Sequence, residues 1–166
     1  FAATATAALG LSPAKIKVLL GEEATRNGII KALSTWAAAE MIPNRSTVYV
    51  FFSGHGLASA DGRTAYLMPQ DADAAVLADS ALRRDEIATR LSTAGARNVV
   101  MILDTCYAGT ARSGQTLMSY ARPLTLKVLS TALPRNVTIF SAAGADQISS
   151  GLPAAGHGIF SYWLMR

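Results

Sequence analysis

Apolar residues recur along this chain in two rhythms. Thr47 to Phe52 (TVYVFF) and Val99 to Leu103 (VVMIL) are nearly unbroken runs of β-branched, aromatic and aliphatic side chains, which predicts two buried strands. Val137 to Phe140 predicts a third, Ile16 to Leu20 a short apolar strand, and Ala65 to Met68 a short edge strand. Between these runs the period lengthens. In Thr25 to Glu40, Ile29, Ile30, Leu33, Trp36 and Ala37 gather on one side, which predicts a helix with Thr25 as its cap. Phe1 to Leu11 predicts a helix ended at Gly10–Pro13. Arg84 to Ala94 predicts another, stopped by Gly95, and a last helix begins at Ile159. Pro43 to Arg45 reads as a turn and Ser53 to Gly62 as a loop.

Strand and helix alternate with short links. That order predicts an α/β fold with a mainly parallel sheet and helices on both faces. Thr110 to Arg135 breaks the rhythm. It carries Gly114, Pro123 and Pro134, with one short helix expected near Leu124 to Leu133. Irregular connections this long in a compact domain are as a rule functional or disordered.

Composition narrows the class. At 166 residues the chain suits one domain, and 51% hydrophobic against 16% charged residues describe a filled core. The net charge of +4 is scattered, with Arg83–Arg84 the one adjacent basic pair, so a nucleic-acid partner is not expected. No apolar run is long enough to span a membrane, and Phe1 to Leu9 lacks the basic start of a signal peptide. The chain starts without Met and stops inside the apolar run Ile159 to Met165, so both ends read as cut from a longer protein. Cys106 is the single cysteine. One Cys and two His make neither a disulfide nor a standard structural zinc site, so no metal is expected. By itself such a thiol is a small buried hydrophobe.

Position changes that reading. Ligands of open α/β sheets bind beyond the carboxyl ends of the strands. There TVYVFF is followed by Ser53-Gly54-His55-Gly56, VVMIL by Asp104-Thr105-Cys106-Tyr107-Ala108-Gly109, and VTIF by Ser141-Ala142-Ala143-Gly144-Ala145-Asp146. A thiol and an imidazole at one rim are the parts of nucleophilic catalysis. The glycines beside His55 leave room for a substrate backbone. His157, also between glycines, reads as a turn residue at the start of a helix. Asp104 points to the same side as Cys106 if the segment is extended. A carboxylate there disfavours the thiolate, which leaves two roles open: a seat for a substrate cation, or the cap of a turn. Neither a G-x-S-x-G elbow nor a phosphate loop is present, and Asp61, Asp71, Asp73 and Asp79 match no calcium loop and read as solvated loop acids.

Phe51-Phe52-Ser53-Gly54-His55-Gly56 and, about 50 residues on, Leu103 to Gly109 resemble the caspase-like cysteine peptidases, most closely the bacterial metacaspases and orthocaspases. Tyr66 to Asp71, Phe140-Ser141 with Asp146-Gln147, and Gly156 to Phe160 echo the same family. The resemblance implies a caspase-like sandwich with a large-subunit-like part (1–109), a linker (110–135) and a small-subunit-like part (136–166). The family's first strand would lie upstream of Phe1 or on a second chain. Catalysis would fall to Cys106 and His55, with the N–H groups of Cys106 and Gly56 as oxyanion hole. Asp104 stands where caspases carry Gln, as in metacaspases, and implies cleavage of peptide and protein substrates after Arg or Lys. Ser53, Asp104 and, more weakly, Ser141 match the S1 pocket. Arg112, Arg122 and Arg135 are candidate sites of self-cleavage. No cofactor is required by the resemblance, and calcium activation, common in metacaspases, is not indicated by the acids present. A catalytically silent interaction module and an unrelated α/β binding domain with an inert cysteine are the competing expectations.

Overall fold

The computed structural model describes residues 1–59, 61–105, 133–142, 151–152 and 157–166. The principal sheet is parallel, in the order β1-β5-β6, from strands Thr47–Ser53 (β1), Asn98–Asp104 (β5) and Val137–Ser141 (β6). The register runs from Thr47 beside Asn98 to Ser53 beside Asp104, and Leu103 stands beside Ser141. The carboxyl ends of all three strands therefore meet at one rim.

Alternation along each strand assigns the faces. Val48, Val50 and Phe52 of β1, Val99, Met101 and Leu103 of β5, and Val137 and Ile139 of β6 share one row and pack into the main core. Helix α5 (Arg84–Thr93) supplies Ile87, Ala88 and Leu91 to that core, and Ala37 and Met41 close it. Val99, Met101 and Leu103 have no exposed surface. The opposite face carries Phe51, Ile102 and Asp104. It is covered by Phe1, whose ring stacks on Phe51 at 4.3 Å, and by helix α6 (Ile159–Leu164), which reaches Asp104 through Ser161. The α/β fold with a parallel sheet and helices on both faces is thus present.

The predicted helix over Thr25–Glu40 is one continuous helical run of three parts: α2 (Arg26–Lys31), a π segment (Ala32–Trp36) and α3 (Ala37–Glu40). Thr25 caps it, its hydroxyl accepting from the Gly28 N–H at 3.0 Å, and Asp71 accepts from the Arg26 N–H at 2.7 Å. Two of the orphan donors of the first turn are satisfied in this way. Helix α1 spans Ala2–Leu9 and ends on Gly10 in the left-handed region. Gly95, at φ 101°, follows α5 as the predicted stop.

Other expectations change. Ile16–Leu20 is not a strand. Among the described residues no neighbour pairs with it, and Leu20 is 73% exposed; apolar β-type residues do not form a strand without a ladder partner. The loop expected over Ser53–Gly62 contains β2 (Gly56–Ala58), which pairs antiparallel with β3 (Ala65–Leu67). Nor is β3 an edge. Leu82–Arg83 (β4) pairs on its other side, so β3 is the fully buried middle strand of a second, antiparallel sheet. Three-residue and two-residue strands are too short to show a period. Asp79 lies in a short helix, α4 (Leu77–Ser80), not in a loop. Near the end of the chain Gly151–Leu152 (β7) pairs with His157–Gly158 (β8), and Gly158 is also the N-cap of α6, the helix start expected there. The helix expected near Leu124–Leu133 falls almost wholly outside the described residues.

Candidate active site

Parallel pairing converts two separate motifs into neighbours. Ser53 and Asp104 are register partners at the last rung of β1 and β5, and the Gly54 N–H donates to the Asp104 carbonyl at 3.3 Å. His55 lies two residues beyond Ser53, just as Cys106 lies two residues beyond Asp104 in the sequence. The His55 side chain is exposed, and its carbonyl accepts from the Met68 N–H at 2.9 Å, which ties the histidine loop to the end of β3. Cys106 lies outside the described residues. So do Arg112 and Arg122, whereas Arg135 is exposed in the turn before β6. The Thr105 that leads to Cys106 is fully buried.

The glycines around His55 have distinct reasons. A Cβ on Gly54 would stand 3.1 Å from the Phe52 ring, so the bend after β1 closes tightly over that ring. Gly56 opens β2. The Ser59 N–H bond to Thr64 and the Met68 N–H bond to His55 mark the hydrogen-bonded rungs of the β2–β3 hairpin. Gly56 opposite Leu67 falls between them, on a rung whose N–H groups point away from the partner strand. The N–H of Gly56 is therefore directed off β3, the condition an oxyanion donor must meet.

Asp104 is fully buried at the end of β5. Taking a carboxylate out of water is costly unless polar groups surround it. Ser161 of α6 is one of its partners, donating its hydroxyl to Oδ2. Gly158 backs the same group: a Cβ there would come within 2.7 Å of the Asp104 Cγ. Ser53 shares the Asp104 row and is exposed. Ser141 stands beside Leu103 and so belongs to the adjacent row, which faces the other side of the sheet. The strands thus bring Ser53 and Asp104 together and set Ser141 apart from them.

The sequence alone points to neither contact: Gly158 figures there only within the Gly156 to Phe160 echo, and Ser161 not at all. The signal available was slight: Ser161 is the one hydroxyl amino acid of the serine and threonine type inside the apolar helix IFSYWL. The loop acids also gain definite roles. Asp61 accepts from the Ser59 hydroxyl at 2.6 Å and the Arg63 N–H at 3.0 Å, and Asp73 accepts from the Ala75 N–H at 2.8 Å. Led by the Ser59 hydroxyl, these donors hold the Asp61 carboxyl below its ordinary range. Among the described residues no cluster of three or more His, Cys, Asp or Glu could hold a metal ion.

No curated protein matches the chain. The model of one protein family, the caspase domain of the C14 peptidases, matches residues 5–166. The match spans both the histidine motif after β1 and the cysteine motif after β5. The chain therefore belongs to the caspase-domain family, which implies cysteine-type peptidase activity in general.

Proposed function

We propose that this chain is a cysteine endopeptidase of the metacaspase and orthocaspase kind, cutting peptide bonds after Arg or Lys. One observation carries the specificity: a buried carboxylate, Asp104, beside Ser53 at the strand ends that lead to both His55 and Cys106. A carboxylate so close to a nucleophilic thiol works against thiolate formation. Its use lies in binding a cationic P1 side chain, for which a guanidinium offers paired donors.

In the proposed reaction His55 takes the thiol proton of Cys106 and the sulfur attacks the scissile carbonyl carbon. The tetrahedral intermediate collapses to a thioester as the C–N bond breaks, and His55 delivers a proton to the departing amine. A water molecule, giving a proton to His55, then attacks the thioester carbonyl; the C–S bond breaks and His55 returns the proton to the sulfur. The N–H groups of Gly56 and Cys106 serve the oxyanion; the direction of the Gly56 N–H, away from β3, supports its part. Asp104 and Ser53, which share one face of the sheet, line the P1 site, whereas Ser141 faces the other side. Arg135, exposed in its turn, is a candidate for self-cleavage together with Arg112 and Arg122. No cofactor takes part in these steps.

The test is a peptide library scanned at P1, with wild type and Cys106→Ala, in calcium and in chelator. Cleavage after Arg and Lys alone, lost in Cys106→Ala and equal in both buffers, is expected. Acidic or unselective P1 preference would refute the pocket, and activity retained in Cys106→Ala would refute the nucleophile. Intact masses of the two proteins report self-cleavage: identical masses count against it.

A further inference from the structure

We infer that Ser161, on α6, is a positioning residue for P1 specificity: its hydroxyl fixes the Asp104 carboxylate in the orientation that receives the substrate cation. The inference rests on the reading of Asp104 as the P1 acid. Three observations carry it. Ser161 and Asp104 are 57 residues apart and on different elements, yet the hydroxyl donates directly to Oδ2. Both side chains are buried, Asp104 completely and Ser161 at 2% exposure, so the bond is shielded from competing water. Gly158, one turn before Ser161, brings its backbone so near the carboxyl group that no side chain fits between them. Helix α6 therefore meets Asp104 with backbone at one point and a single hydroxyl at another.

A terminal carboxylate turns freely about its last bond, since that torsion has a broad profile. Paired recognition of a guanidinium needs the two oxygens in one plane with the fork. A hydroxyl anchored in a helix sets that plane before substrate arrives, which lowers the ordering cost of binding. Because the P1 contact acts on bound substrate and transition state alike, loss of the anchor should appear in KM rather than in kcat.

The experiment compares full-length wild type, Asp104→Asn, Ser161→Ala and Ser161→Thr on paired peptides with Arg or its neutral isostere citrulline at P1. Ser161→Ala is expected to raise KM for the Arg peptide roughly 10-fold, with kcat within about threefold and the citrulline peptide unaffected. Ser161→Thr, which keeps the hydroxyl, should recover most of that loss. A merely structural serine would move both peptides together. Should Ser161→Ala leave the Arg KM within twofold, or lower it, the positioning role is overturned. Asp104→Asn separates this from the parent reading. If it keeps the Arg preference, the P1 role of Asp104 falls and the inference with it; if it loses the preference while Ser161→Ala does not, only the inference falls. Should Ser161→Ala fail to fold, the same KM comparison is made on Ser161→Cys, a weak donor of nearly equal size. An Arg KM there like that of Ser161→Thr would overturn the inference.

Discussion

Leu103 and Asp104 are consecutive residues of β5, equally and completely buried, and they face opposite sides of one sheet. Leu103 ends a row that is apolar but for Ser141 on its β6 side: Met101 and Val99 behind it, Phe52 on its β1 side, the α5 side chains above. Asp104 ends a row that begins the same way, with Ile102 behind it, and then meets a hydroxyl and a glycine instead of hydrocarbon. Depth does not distinguish core from site here. The chemistry of the covering helix does: α5 brings aliphatic side chains to one face, whereas α6 brings Ser161 and bare backbone to the other. A fully buried carboxylate is tolerated only where something was placed to receive it.

The comparison can be broken from either side. The largest effect should come from the rim itself. His55→Ala is expected to lower kcat/KM on an Arg peptide by roughly 1000- to 10,000-fold while leaving the thermal midpoint nearly unchanged, since the side chain is exposed. A fall of under 10-fold would show that another group carries the proton.

Next comes the apolar row. Leu103→Ala should cost about 2–5 kcal/mol of stability in urea unfolding, through lost burial and the cavity left behind. The protein that remains folded should keep its Arg preference. Loss of P1 preference without loss of stability would erase the division between the faces.

On the polar side, Gly158→Ala forces a methyl onto the Asp104 carboxyl group. It should destabilise by about 1–3 kcal/mol and raise the KM for Arg peptides, the two effects appearing together. A variant as stable as wild type would mean that α6 and β5 do not meet as described.

The smallest effect belongs to the hairpin that follows His55. The Asp61 carboxyl is held low in the folded state, so its contribution is complete above its ordinary value of 3.8 and is lost as the pH falls through the lower folded value. Asp61→Asn should therefore be slightly less stable than wild type near neutrality, with the difference vanishing in strong acid. A difference that grows toward low pH would reverse the sign and refute the assignment.

Legibility from sequence followed segment length. TVYVFF and VVMIL could be read because sheet strands concentrate β-branched and aromatic residues over five or six positions, but only VVMIL is buried as expected. Among the described residues β1 lies beside a single partner strand and is half-buried, with Tyr49 exposed. The helix over Thr25–Glu40 showed itself by period and by its cap. By contrast, β2 and β4 are three and two residues long and owe their existence to β3, which pairs with both. Ile16–Leu20 has strand composition but no strand beside it among the described residues, so composition misled there. The π segment at Ala32–Trp36 left no mark on the apolar period.

The site divides along the same line. The chain alone names the candidate reactive residues, His55 and Cys106, and places an acid two positions before the thiol. Residue type and spacing along one strand are properties of the chain alone. Only the tertiary structure decided that Ser53 and Asp104 share a rung, because parallel register joins segments about 50 residues apart. Only it decided that Gly56 turns its N–H off the hairpin, and that Asp104 is buried against Gly158 and Ser161. Those facts depend on which helix covers which face, and no period along the chain encodes the distance between two elements that meet only when folded.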